Sequence, residues 1–441
     1  MPSFVPHTQQ EIKSMLEFLG LEDIDELYDH IPVALKLTQS LAITALSSEF
    51  DVIEHFTEIG NRNTEDLICF AGYGAYDRLI PAVTKQLASR SEFVTAYTPY
   101  QPEVAQGVLQ AIFEYQTFVT RLYGMDIANA SLYDGASALV EAVNIATSIK
   151  GNKSVIVSEG VFHNYRQVLG TFVKGTQTNI IIKTDKDLED FDAFDTSGTV
   201  AAVVVQSPNR YGNLVDLDKV KQLCDRLGCL YIVAMDPIAA SVLKTPGEAG
   251  ADIAIGEGQV LGMPLSFGGP YLGLFALKQD LVRKLPGRLV GQTVDTSGKK
   301  AYVTTLRSRE QDIRREKASS NVCTNQTLMA VTAAIQLSWL GSKGITEVAA
   351  NSTKASHYLR SMLKSEGFEF YGDDPFLFEF SVKLKQKVDD VLQRMVDEGF
   401  LAGVKVLNEI DGQEYLVVAT TEKRTASQID AFAKALVKAD N

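Results

Sequence analysis

Residues 256–270 read GEGQVLGMPLSFGGP, a glycine-rich turn that follows an apolar run. After a strand, such a turn is where many cofactor enzymes hold one reactive lysine. The lysine matters because imine formation with a cofactor aldehyde needs a nucleophilic amine. Gln259 stands at that position here, and a neutral amide cannot form the bond. Lys244 precedes the strand and Lys278 lies at the far end of the next one, so neither is an obvious substitute.

Other polar residues fall at the ends of apolar runs. Asp236 closes LYIVAMD. An aspartate there can pair with a pyridinium nitrogen and keep an electron sink protonated, or it can simply cap a loop. His163, in EGVFHNYRQ, can stack on a cofactor ring or serve as a hydrogen-bonded packing residue. In NASLYDGASALVEA (129–142), small residues entering a helix could cradle a phosphate. Asp134 argues against that: as N-cap it already occupies the positive helix end and repels an anion. A capped core helix is the expectation. The remaining histidines (His7, His30, His55 and His357) form no ligand spacing, so no metal site is expected.

The stretch SRSEFVTAYTPYQPE (89–103) places Tyr97, Thr98, Tyr100 and Gln101 on a segment stiffened by Pro99 and Pro102. Pre-ordered aromatics before an amphipathic helix (104–122) suit an interface or a substrate contact, and a packed loop equally well. RSREQDIRREK (307–317) is a basic run, read as a solvated helix face or a docking surface for an acidic partner.

These residues need a frame. VIVSE, NIIIK, VAAVVVQ, LYIVAMD and ADIAIGEG are apolar without alternation, the mark of parallel strands buried on both faces. LGLFALK supplies a further strand. Helical stretches intervene, including DLDKVKQLCDRLG, with Asp218 as its expected N-cap and Gly228 at its stop. The pattern gives a doubly wound α/β domain with its ligand site at the carboxyl ends of the strands. Thr8 and Glu11 form a capping box ahead of an N-terminal helix. The expected domains are a helical segment (1–69), a large α/β domain (70–325), and a linking helix with a small α+β domain (326–441).

The 441 residues carry a net charge of −13, which disfavours non-specific binding to nucleic acid or anionic membranes. No run is long enough to span a bilayer, and the N-terminus lacks a signal-peptide pattern. Four cysteines without zinc or redox spacing suit a reduced, cytoplasmic protein.

Taken together, AYTPYQPE, EYQTFVTRLYGMDIANASLYDGASALVEA, GEGQVLGMPLSFGGPYLG, PGRLVGQTVD and REQDIRREKASSNVCTNQ closely resemble the P-protein of the glycine cleavage system, glycine dehydrogenase (decarboxylating). The resemblance covers nearly the whole chain. It implies an aspartate-aminotransferase-like, fold type I pyridoxal-phosphate transferase fold. In that family the protein is one long chain of two related halves or two separate subunits. The lysine-bearing half reads roughly HKTFxxPHGGGGPG, and its lysine falls on Gln259 and its proline on Pro264. The chain thus resembles subunit 1, the alpha or N-terminal-half type. One departure is Asp312, where histidine is usual.

The resemblance implies a degenerate pocket around His163, Asp236 and Gln259, with pyridoxal phosphate on a sister subunit 2. Glycine is decarboxylated there, and the aminomethyl group passes to the lipoamide of the H-protein. Tyr97, Thr98, Tyr100 and Gln101 are then contributed to the sister's site. Two other readings stay open: a self-sufficient pyridoxal-phosphate amino-acid decarboxylase, and a non-catalytic stabilising or regulatory subunit.

Overall fold

A computed structural model describes residues 6–37, 39, 41–43, 48–63, 66–96, 98–190 and 200–441. The chain divides into two compact units, Met1–Glu65 and Asp66–Asn441. In the first, α1 (Gln9–Leu19) opens on the expected capping box: the Thr8 hydroxyl accepts the Glu11 amide and the Glu11 carboxylate accepts the Thr8 amide. Gly20 ends it in the left-handed region, at φ 73°. Ile24–Tyr28 is a short 3-10 turn, and α2 spans Glu49–Gly60.

The second unit is built on a seven-stranded sheet. Its strands are β1 (Ile127–Ala128), β2 (Ser154–Ser158), β3 (Asn179–Lys183), β4 (Ala202–Gln206), β5 (Leu230–Ala234), β6 (Ile253–Glu257) and β7 (Gly273–Leu277), in the order β1-β7-β6-β5-β4-β2-β3. All run parallel except β7, which pairs antiparallel with both neighbours. The runs of β2, β4, β5, β6 and β7 lack alternation because both faces are covered, whereas β3 (NIIIK), expected to be buried on both faces, is an edge strand that is only partly covered and leaves Ile182 exposed. Val203, Val205, Tyr231 and Val233 pack on one side, beneath α3 (Gln106–Tyr123) and the first half of α7 (Thr327–Ser365). Ala202, Val204, Leu230 and Ile232 pack on the other, beneath α4 (Gly135–Lys150) and α5 (His163–Thr176). Side chains alternate faces along a strand, so each residue type serves a core layer. Full burial of such a side chain stabilises by about 1.5–3 kcal/mol.

The helix α6 (Leu217–Leu227) corrects one expectation. Its N-cap is Asp216, whose carboxylate accepts the Lys219 amide at 3.2 Å. Leu217 is already buried in the core, which sets the helix start two residues earlier than Asp218 would. Asp218 instead pairs with Lys244.

Helix α7 breaks at Gly341 (φ 61°) and continues into the C-terminal sheet layer. There β8 (Glu369–Phe370), β9 (Glu379–Lys383), β10 (Val404–Leu407) and β11 (Glu414–Ala419) form an antiparallel sheet of order β8-β9-β11-β10, closed by α8 (Val388–Asp397) and α9 (Ala426–Asp440). The basic run 307–317 is not one helix face. It forms short turns interrupted by left-handed residues Leu306 and Arg315. Among the described residues, no helix is long and apolar enough to cross a membrane.

Candidate functional site

The carboxyl ends of β4, β5 and β6 face a small cavity, where a doubly wound sheet keeps its ligand. Its wall includes Tyr76, Phe162, Tyr165, Asp236, Glu257 and Glu379, and among the described residues no lysine lines it. Asp236 follows β5. Its Oδ1 accepts the Ile238 and Ala239 amides at 2.8 and 3.0 Å, so it caps the turn that leaves the strand. Desolvation raises its pKa, opposed by the Arg78 charge and by those two amides.

Glu257 ends β6 and turns back on the start of α4. Its Oε2 accepts the Gly135 amide at 3.0 Å, and its Oε1 accepts the amides of Gln259 and Leu272, each at 3.0 Å. Burial still dominates and pushes its pKa up to about 8. Glu379, at the start of β9, takes the Tyr73 amide at 2.6 Å, and burial raises it likewise to about 8. The Tyr165 ring lies across the first turn of α4, so a Cβ on Gly135 would meet its hydroxyl at 2.0 Å. Asp134 caps α4 as expected, accepting the Ser137 amide at 2.7 Å.

Gln259 is 1% exposed and its amide is engaged three times. Oε1 accepts the Tyr76 N–H at 2.9 Å, while Nε2 donates to the Tyr76 and Met263 carbonyls at 3.2 and 2.8 Å. It therefore grips the backbone of a cavity-wall residue. His163 begins α5 beside the wall residue Phe162. Its ring Nδ1 lies 3.0 Å from Glu409, a carboxylate that two Arg166 hydrogen bonds and neighbouring Arg210 hold down at about 2.

The free space is about 30 Å³, enough for one or two waters. Pyridoxal phosphate does not fit this arrangement. The covalent position is an amide tied to backbone, the start of α4 is taken by Glu257 and Tyr165, and the free space is far smaller than the cofactor.

The structure brings Asp236 to the cavity wall and leaves His163 beside it and Gln259 behind Tyr76. The described residues of the loop ahead of α3 form no part of that wall. Tyr97 lies outside the described residues. Thr98 has a buried hydroxyl without a partner among the described residues. Tyr100 is 54% exposed, with its ring 5.2 Å from the Arg288 guanidinium and its hydroxyl 3.3 Å from Arg288 Nη2. Gln101 is exposed.

Sequence reasoning passed over Glu257, Glu379, Tyr165 and Arg288. Glu257 had a visible signal, an acid two residues before Gln259 at a strand end. Glu379 had another, a charge inside the apolar run LFEFSV. In the basic run, Arg307 pairs with Asp312 at 2.6 Å, while Arg309 turns inward and donates to the Leu285 carbonyl.

Residues 2–436 match the family model described as glycine cleavage system P-protein. A probable glycine dehydrogenase (decarboxylating) subunit 1 from Chlorobium luteolum is 45% identical over 98% of this chain and 99% of its own. One of the same description from Desulforamulus reducens is 42% identical over 98% and 99%. Among solved structures, inhibitor-bound glycine decarboxylase (P-protein) of the glycine cleavage system superposes with a TM-score of 0.88 at 38% identity, covering 99% of this chain and 100% of that one. Lactobacillus brevis glutamate decarboxylase matches at a TM-score of 0.66 and 12% identity over 92% and 95%, a likeness of fold alone.

Proposed function

Because the chain belongs to the P-protein family of the glycine cleavage system, we propose that it is the anchorless half of a shared glycine dehydrogenase (decarboxylating). A sister subunit 2 carries the lysine and the pyridoxal phosphate. That cofactor supplies the electron sink for decarboxylating glycine, and the aminomethyl group passes to the lipoyl group of the H-protein. This chain binds no cofactor of its own.

The observation that carries the reading is the state of Gln259. Its amide is satisfied by Tyr76 and Met263, so the place of the covalent anchor is a structural joint. The remnant pocket then works as packing that fixes the strand ends. Tyr97, Thr98, Tyr100 and Gln101 are this chain's contribution to the sister's site, where an exposed tyrosine against Arg288 can contact substrate and exclude water. A reducing cytoplasm suits the four unpaired cysteines.

The test is an absorption spectrum with pyridoxal phosphate, first of this chain and then of its mixture with the lysine-bearing sister. The expected result is no bound-cofactor band for this chain alone, and glycine decarboxylation only in the mixture. A borohydride-trappable cofactor adduct on this chain alone would overturn the reading.

A further inference from the structure

Six of the fifteen buried side-chain polar atoms without a partner among the described residues gather around one short strap, Leu285–Pro286–Gly287–Arg288. They are Asn129 Oδ1, Ser131 Oγ, Arg309 Nε and Nη2, Glu310 Oε1 and Asn325 Nδ2. The strap ties their residues together. Arg309 donates to the Leu285 carbonyl, and Asn129 Nδ2 donates to that of Pro286 at 3.0 Å. Arg288 reaches Asn325 Oδ1 and the Tyr100 hydroxyl, each at 3.3 Å, and its carbonyl accepts the Ala130 amide at 2.8 Å. A Cβ on Gly287 would lie 3.6 Å from the Ser131 carbonyl oxygen.

Native proteins leave few buried polar atoms unpaired, so such a concentration calls for partners that the described residues do not supply. Asn129 and Ser131 are 1% and 0% exposed, which makes the missing partners costly. Three of these atoms only donate and two only accept, and the excess is of positive charge. Arg288 and Arg309 carry two guanidinium groups against the single carboxyl of Glu310. Burial lowers the Arg309 pKa and raises that of Glu310, as expected for charges short of counter-groups. A planar guanidinium fork matches carboxylate and phosphate oxygens.

We propose that Arg288, Arg309 and Asn325 form an anion-recognition site, completed when the sister subunit presents a carboxylate or a phosphate monoester to it. The proposal rests on the shared-enzyme reading above and names the chemistry that this chain brings to the interface. Tyr100, exposed and in contact with Arg288, forms the lip of the site.

The test uses the assembled pair of subunits, with pyridoxal phosphate and glycine as probes. Arg309→Gln and Asn325→Ala are each compared with the unaltered chain for assembly by sedimentation, for cofactor Kd by dialysis and for glycine KM. Loss of a charged hydrogen bond costs about tenfold or more in affinity. If the anion is the cofactor phosphate, Kd rises by that factor and KM holds. If it is the glycine carboxylate, KM rises and cofactor retention holds.

Arg309→Lys restores part of either effect, which a merely structural role would not do. Arg309 also holds the Leu285 carbonyl, so melting of the isolated variants reports folding and Asn325→Ala serves as the gentler change. Unchanged Kd and KM in intact pairs carrying either variant would overturn the site. Failure of the unaltered subunits to assemble or to gain glycine turnover on mixing would instead remove the shared-enzyme reading, and the site with it.

Discussion

The Glu257 carboxyl accepts the backbone N–H of Gly135, the first residue of α4, at 3.0 Å. The free N–H groups at a helix start favour an anion from outside the chain. Here a side chain two residues before Gln259 reaches back and takes one of them. The same carboxyl also accepts the Gln259 and Leu272 amides. One residue therefore links the helix start, the vestigial anchor position and the strand β7 that follows it. The pocket is held shut by the residues that line it, and the glycine-rich turn is a hinge of packing.

Stability should depend on pH through this pocket. Burial raises Glu257 and Glu379 to about 8, above the ordinary carboxylate value. In that window the folded chain binds more protons than the unfolded chain, so stability falls as pH rises from about 5 towards 8. The upper bound is about 5 kcal/mol per group, and relaxation and water entry reduce it. Urea denaturation at pH 5, 6.5 and 8 measures the slope. Glu257→Gln with Glu379→Gln should flatten it, and an equal slope in that double variant would refute the assignment.

Restoring the lysine should not restore the cofactor. Gln259→Lys breaks three hydrogen bonds to the Tyr76 and Met263 backbones and buries an amine. Each orphaned partner costs on the order of 1–3 kcal/mol, so a loss of about 3 kcal/mol or more is expected. The variant should show a lower melting temperature and no visible band with pyridoxal phosphate. A stable variant with such a band would mean that the cavity opens more readily than its packing implies.

Much of this frame was legible in the sequence. The runs at β2, β4, β5 and β6 read as doubly buried strands because no polar residue interrupts them. Thr8, Asp134 and Gly228 act locally, as caps or stops, and local chemistry is what a sequence displays. Asp218 was mistaken for a cap because the choice between it and Asp216 depends on burying Leu217 in a core assembled from distant strands. The filling of the pocket was hidden for the same reason. Glu379 meets the Tyr73 amide across 306 positions, and Tyr165 meets Gly135 only once α5 packs on α4. Gln259 was noticed for what it lacks, while its three bonds depend on a backbone 183 residues away.

The packing of Tyr165 on Gly135 can be tested by itself. A methyl group on Gly135 would meet the Tyr165 hydroxyl at 2.0 Å, so Gly135→Ala should destabilise the chain by about 1–3 kcal/mol. Tyr165→Phe removes the nearest clashing atom, the hydroxyl, and leaves the ring carbon Cζ that a Cβ on Gly135 would meet at 2.6 Å. Combining the two should recover part of the loss, with a coupling of about 0.5–2 kcal/mol in a double-mutant cycle. Strict additivity would show that Tyr165 moves aside freely and does not seal the helix start.

Tyr100 separates contribution to chemistry from contribution to folding. It is exposed, and it touches the body of the chain through Arg288, by its hydroxyl and by the face of its ring. A cation–ring contact at an exposed site is worth about 0.5–1 kcal/mol. Tyr100→Phe and Tyr100→Ala should therefore leave the melting temperature of the isolated chain nearly unchanged. In the assembled pair, Tyr100→Ala should lower glycine turnover by about tenfold or more, the loss of one oriented contact in a reacting site. Tyr100→Phe, which keeps the ring, should fall between the two, and Tyr97→Phe provides the companion measurement on the same loop. Sedimentation of each variant pair establishes that assembly is intact. Full turnover from an intact Tyr100→Ala pair would leave the loop as packing and move the search for this chain's contribution to Arg288 and Arg309.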